Sequence, residues 1–228
     1  MESRVIKKTR AASINHKKVE IPQDVPLKIS WILQAPSGGA FPRIELLEAK
    51  DQVVAERTLF GLCSAPGKKL TKGRDGKSHD RDITKDVFNF KERGVDCIVC
   101  LLSKYELRTL GVDISVYAKA CSKVGIDLII YPIVEMAAPE QKTTEFDTEL
   151  IEKLRTLVEA NKSVVVHCRG GIGRAGLVAC CLLLKMELAK SPSDAIKIVR
   201  KLRDPRSVES RKQEDYIERY YGLINSQR

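Results

Sequence analysis

Val164-Val165-Val166-His167-Cys168-Arg169-Gly170-Gly171-Ile172-Gly173-Arg174-Ala175-Gly176 decides how the rest of the chain is read. An apolar, strand-like run turns through Gly170, Gly171 and Gly173 and passes into the apolar run Leu177 to Leu184. Strand, glycine turn and helix in that order aim successive backbone N–H groups and the positive end of a helix at one point, which makes a seat for an oxyanion. Glycine suits the turn because the backbone must adopt conformations that side chains forbid and must approach the anion closely. Cys168 stands at the strand end, where those N–H groups and Arg174 favour the thiolate, the nucleophilic form of the thiol. Arg174 lies where the loop closes into the helix, and its planar fork can grip two phosphate oxygens, which a lysine cannot do as well. The expected site is therefore Cys168 as nucleophile inside a phosphate cradle of Arg169, Gly170, Gly171, Ile172, Gly173 and Arg174. Thiolate attack on phosphorus within such a cage needs no metal or cofactor, and the sequence offers no metal-ligand cluster. The loop also lacks the Gly-Lys-Ser/Thr ending of nucleotide-binding loops.

Upstream of this stretch, helical spacing from Asp82 to Glu92 stops at Gly94, and Val95 to Leu102 reads as a buried strand. A second helix from about Asp113 to Lys123 stops at Gly125, followed by the strand Ile126 to Tyr131. A third begins near Thr144, where Asp147 three residues on suggests a capping box, and runs to about Ala160 before the strand Ser163 to His167. Strand and helix alternate, with strands apolar on both faces, so the fold class is α/β: a central, mostly parallel sheet flanked by helices. Leu27 to Leu33 and Arg57 to Cys63 are further strand candidates, and the polar, aperiodic stretch Lys68 to Asp82 reads as a long surface loop. After the central stretch, Ser191-Pro192 caps and starts one helix, and Glu209 to Ile224 makes the last.

At 43% hydrophobic and 31% charged, the 228 residues have the balance of a globular protein and exclude a wholly disordered chain. The longest purely apolar run is eight residues, too short to span a membrane. The N-terminus carries no apolar segment after its basic residues, and the seven cysteines are odd in number and scattered. No secretory signal and a reducing compartment are expected, cytoplasmic with the nucleus also open. The net charge is +10, and residues 1 to 20 hold six basic against two acidic side chains, +4 of that total. Residues 1–25 are read as a basic flexible tail and 26–228 as one domain, taken as a monomer. The positive surplus invites phosphoproteins or anionic lipid. Nucleic acid is set aside, because aromatics are 5% and do not interleave with the basic residues.

His167-Cys168-x5-Arg174 resembles the signature loop of the cysteine-based protein tyrosine and dual-specificity phosphatases. Phe60-Gly61-Leu62-Cys63-Ser64-Ala65-Pro66-Gly67 looks like the Leu-Gly-Leu-x-x-x-Pro-Gly strand and turn of the cyclin-dependent-kinase-associated phosphatases and their bacterial relatives. Pro132-Ile133-Val134-Glu135-Met136 looks like their Pro-Ile-x-Asp general-acid loop. The resemblance covers about residues 57 to 224. It implies the protein tyrosine phosphatase-like fold, with the site at the C-terminal edge of the strands. It also implies hydrolysis of phosphomonoesters on protein, phosphotyrosine and/or phosphoserine/threonine, through a cysteinyl-phosphate, with a phosphorylated protein as partner. Two positions depart from the pattern. Glu135 replaces the family's Asp as general acid and is one methylene longer. Ala175 replaces a Ser or Thr whose hydroxyl helps expel the thiolate; losing such a bond to a charged group removes about 1.5 to 3 kcal/mol, roughly ten- to a hundred-fold in rate. A phosphoinositide phosphatase, motivated by Arg169 and the basic tail, and a weakly active phosphoresidue-binding module, motivated by Glu135 and Ala175, are the alternative readings. The remaining candidates take structural expectations. Cys97 and Cys100 point to opposite faces of a strand, Cys180 and Cys181 belong to the core, His167 orders the loop, and Gln213 lies in solvent in preference to positioning the hydrolytic water.

Overall fold

A computed structural model of the chain describes residues 25–35, 44–47, 57–73, 76–140 and 142–227. The basic stretch expected to form a tail lies outside these residues up to position 24.

Six strands form the central sheet. They are β1 (Ser30–Ala35), β2 (Glu45–Leu46), β3 (Arg57–Cys63), β6 (Cys97–Cys100), β7 (Asp127–Ile130) and β8 (Val164–His167), in the spatial order β2-β1-β3-β8-β6-β7. β3, β8, β6 and β7 run parallel, while β1 pairs antiparallel with β3 and with β2 at the edge. The expected mostly parallel α/β sheet is thus the observed one. The chain winds outward from β3 to β6 to β7 through α1 (Ile83–Glu92) and α3 (Ile114–Val124), then doubles back to β8. Right-handed crossovers put helices of opposite winding direction on opposite faces. Such a reversal opens a crevice at the C-terminal edge of the strands, and β8 ends in that crevice between β3 and β6.

Local chemistry sets the helix ends. Asp82 caps α1 by accepting the N–H groups of Thr84 and Lys85, and Asp113 caps α3, which Gly125 ends in the left-handed region at φ 66°. Ser191 with Pro192 starts α7 (Pro192–Leu202), and Ser210 starts α8 (Arg211–Ser226). Helix α6 (Gly173–Lys185) is buried from Gly173 to Leu184, since it packs between the sheet and both α7 and α8.

Three stretches differ from expectation. Residues 68 to 82 are not a featureless loop: β4 (Lys69–Leu70) and β5 (His79–Asp80) pair antiparallel. Buried Asp86 holds the base of this hairpin, accepting the Gly67 N–H at 2.8 Å and the Arg81 guanidinium. The polar composition that suggested a loop records only that the hairpin is short and faces water. A helix, α2 (Lys104–Thr109), also lies between β6 and α3, started by a capping box in which Ser103 and Glu106 satisfy each other's backbone N–H groups. Finally, the helix expected from Thr144 starts one residue earlier as α4 (Thr143–Phe146), widens into a π turn over Asp147–Ile151 and continues as α5 (Glu152–Glu159). Asp147 is no capping residue. It is buried and accepts Tyr220 Oη at 2.5 Å and Lys185 Nζ at 2.9 Å, and the wide turn carries it inward to meet them.

Candidate active site

β8 carries His167 to the sheet edge in register with Cys63 of β3 on one side and Cys100 of β6 on the other. The next residues leave the sheet as a loop that re-enters helix at Gly173. Cys168 is nearly buried, and the Gly171 N–H donates to its Sγ at 3.2 Å, so the loop curls around the sulfur as the glycine spacing implies. Gly171 sits at φ 69°, and a Cβ there would lie 2.0 Å from the Cys63 carbonyl oxygen. Conformation and space both demand glycine at this position. Gly170, Gly171, Ile172 and Gly173 complete the loop, with Arg169 half-exposed at its start. The six other cysteines are also free and buried, and burial raises each of their pKa values, to about 12 for Cys100 at the end of β6. Those six stay thiols near neutral pH. Among the seven, only Cys168 lies within the glycine loop.

Arg174 in the first turn of α6 is also buried, and two contacts fix its head. Nη1 donates to Glu106 Oε1 at 2.7 Å and to the Ile133 carbonyl at 2.8 Å. Glu106 is the acidic half of the capping box of α2, so the carboxylate that accepts the Ser103 N–H also anchors the arginine. Sequence reading missed Glu106, although Ser103-x-x-Glu106 spells a capping box. Glu135 stands over the loop, its Oε1 4.0 Å from Arg174 Nη2. The stretch Pro132 to Met136 thus brings the Glu135 carboxylate close to the arginine. The next residue, Met136, turns the chain with φ 60°, a left-handed conformation that costs a residue with a side chain about 1 kcal/mol or more. Between α2 and this loop opens a cleft of about 430 Å³ lined by Ser103, Glu106, Glu135 and Glu140 among others.

His167 is fully buried between Tyr117 of α3 and the loop. Its Nδ1 lies 3.4 Å from the Cys168 carbonyl, which can only accept, so Nδ1 carries the proton and Nε2 accepts from Tyr117 Oη at 3.0 Å. Burial lowers its pKa to about 4, helped by the positive charge of Arg174 and opposed by the Cys168 carbonyl. The ring is therefore neutral near pH 7 and orders the loop, as expected, without serving as a cation beside the sulfur.

Gln213 is fully buried, which corrects the expectation of a solvent-facing side chain. Its Oε1 accepts the Glu209 N–H at 2.9 Å and its Nε2 donates to the Ala137 carbonyl at 3.2 Å, tying the segment after Glu135 to the start of α8. The segment before α8 also presses on the loop helix. Val208 takes φ 62°, unusual for a β-branched residue, and Arg200 holds it by donating to the Ser207 and Val208 carbonyls. Gly176 makes room, since a Cβ there would lie 3.1 Å from the Val208 nitrogen. Ala175, the second departure from the family pattern, is fully buried in α6.

The comparisons with known proteins agree with this geometry. Residues 44–196 match the family model of Cyclin-dependent kinase inhibitor 3 (CDKN3). The chain is 32% identical over 163 residues to the Cyclin-dependent kinase inhibitor 3 of Sus scrofa and to that of Homo sapiens, spanning 71% of this chain and 71% of each relative. Among solved structures, kinase associated phosphatase (KAP) with its catalytic site cysteine replaced by serine superposes with a TM-score of 0.69 at 25% identity, covering 89% of this chain and 98% of that one. PTPMT1 in complex with PI(5)P shares the fold at a TM-score of 0.56 and 15% identity, over 74% of this chain and 94% of its own. A glycine loop that wraps a cysteine, an arginine buried behind it and these relatives converge on one conclusion: the chain belongs to the cyclin-dependent kinase inhibitor 3 family and is a cysteine-based protein tyrosine/dual-specificity phosphatase.

Proposed function

We propose that Cys168, Arg174 and Glu135 carry out the hydrolysis, and that the substrate is a phosphotyrosine and/or phosphoserine/threonine on a protein. The observation that carries this reading is the Gly171 N–H directed at Cys168 Sγ inside a loop that opens a helix. The Cys168 thiolate attacks phosphorus, the ester P–O bond breaks, and Glu135 gives its proton to the leaving oxygen. Water then attacks the cysteinyl-phosphate and returns a proton to the Glu135 carboxylate, the S–P bond breaks, and inorganic phosphate leaves with the thiolate restored. Arg174 holds equatorial oxygens throughout. It is positioned beforehand by Glu106 and the Ile133 carbonyl, so no reorganisation is needed as charge spreads over the phosphoryl group. The relatives' names, a kinase inhibitor and a kinase associated phosphatase, support a phosphorylated protein kinase as the substrate class.

The test is phosphate release from phosphotyrosine peptides, phosphothreonine peptides, a phosphorylated kinase and phosphoinositide vesicles, with vanadate as competitor. The proposal expects turnover on protein phosphate, highest on the folded kinase. Turnover confined to the vesicles would replace it with the lipid reading. Vanadate and phosphopeptide binding with no turnover anywhere would replace it with the binding-module reading.

A further inference from the structure

A loop that directs its N–H groups inward must direct its carbonyls outward, because a trans peptide holds the two antiparallel in one plane. The chain has no cis peptide among the described residues. The outward carbonyls are not left to water. Arg203, at the end of α7, donates from Nη2 to the Gly170 carbonyl at 3.0 Å and from Nε to the Gly171 carbonyl at 2.9 Å. Its remaining arm, Nη1, donates to Ser30 Oγ of β1 at 3.1 Å, so the fork is braced against the sheet.

Each of these two bonds fixes a peptide plane. The plane of the Gly170 carbonyl contains the Gly171 N–H, which is the group observed on Cys168 Sγ. The plane of the Gly171 carbonyl contains the Ile172 N–H. Gly171 itself has no side chain to resist rotation and sits in the left-handed region, so without an external grip both of its flanking planes are soft. The neighbouring planes have other holders: Ala65 N–H donates to the Arg169 carbonyl at 3.2 Å, and the Gly176 and Val208 N–H groups reach the Ile172 carbonyl at 3.1 and 3.4 Å. Arg203 therefore serves the two planes at the glycine corner that nothing in the helix secures.

We propose that Arg203 is a positioning residue of the phosphatase site, whose two-pronged grip on the Gly170 and Gly171 carbonyls aims the Gly171 and Ile172 N–H groups at the sulfur and the bound oxyanion. The inference rests on the reading of the glycine loop as the phosphate site. It assigns the arginine a geometric role, which an ammonium group cannot supply: its three N–H bonds diverge from one nitrogen and cannot match the parallel pair that the planar fork places on the two carbonyls.

Full-length Arg203→Lys and Arg203→Ala are compared with wild type for vanadate affinity, for the pH profile of Cys168 alkylation by iodoacetate, and for thermal unfolding. Both variants are expected to bind vanadate about ten-fold more weakly or worse. Both should alkylate with the thiolate profile displaced to higher pH, and dilute guanidinium should restore part of the affinity to Arg203→Ala alone. Arg203→Lys keeps the charge and decides the matter if Arg203→Ala fails to fold. Vanadate affinity within about two-fold of wild type in Arg203→Lys, with an unmoved alkylation profile, overturns the geometric role. A wild-type protein that binds no vanadate at all overturns the phosphate-site reading, and the assignment of Arg203 with it.

Discussion

Replacing His167 should change how the protein responds to acid, and the structure sets the size of the effect. His167 is completely buried, its Nδ1 proton faces the Cys168 carbonyl and its Nε2 accepts from Tyr117. Burial lowers its folded pKa to about 4, against an ordinary value of 6.5. Above pH 6.5 the ring is neutral in both folded and unfolded chains, so it contributes no pH dependence. As pH falls below 6.5 the unfolded chain takes up the proton and the folded one does not, so stability is lost until the folded pKa is passed. At about 1.4 kcal/mol per pH unit, the loss reaches about 2 kcal/mol by pH 5 and about 3 kcal/mol by pH 4. His167→Asn, which keeps a donor near the Nδ1 position but cannot titrate, removes this component. Urea unfolding of both proteins at intervals between pH 7 and pH 4 is the assay. The stability advantage of wild type over the variant should shrink steadily below pH 6.5, by about 2 kcal/mol at pH 5. Parallel pH profiles would show that His167 titrates normally in the folded protein, and would refute the neutral-ring argument.

Gly171→Ala should be among the most damaging single substitutions, since its Cβ would fall 2.0 Å from the Cys63 carbonyl oxygen at φ 69°; vanadate binding should disappear, and retained affinity would contradict the packing of the loop on β3. Glu135→Gln should slow phosphopeptides far more than activated aryl phosphates, because only a basic leaving oxygen needs the proton; equal losses on both would remove Glu135 from the acid role. With an activated substrate, fast mixing should show a burst of leaving group before a slower steady state, and Ala175→Ser should raise that steady rate by about ten-fold or more; no burst and no gain would end the account of Ala175.

The parts of the site that depend on local chemistry were legible in the chain itself. Strand, glycine turn and helix around Cys168 each follow from neighbouring residues, and Pro132 to Met136 brings Glu135 to within 4.0 Å of Arg174. What escaped was whatever reaches the loop from a distance. Arg203 lies 32 residues from the carbonyl that its Nε grips, and Glu106 lies 68 residues from Arg174. No periodicity carries either pairing, though the capping box around Glu106 could at least have placed its helix. Gln213 misled for a related reason: it sits between Lys212 and Glu214 in a polar run, and only the fold reveals that the Ala137 carbonyl and the Glu209 N–H enclose it.

The central claim is that phosphorus passes through Cys168. Rapid acid quench of the wild-type protein during turnover of a phosphopeptide, followed by peptide mass spectrometry, tests it directly. The account predicts a phosphorylated Cys168 peptide in wild type and neither that adduct nor phosphate release in Cys168→Ser, which should still bind the phosphopeptide through the loop and Arg174. Phosphate release by Cys168→Ser, or phosphorus found on another residue of the wild-type enzyme, would contradict it.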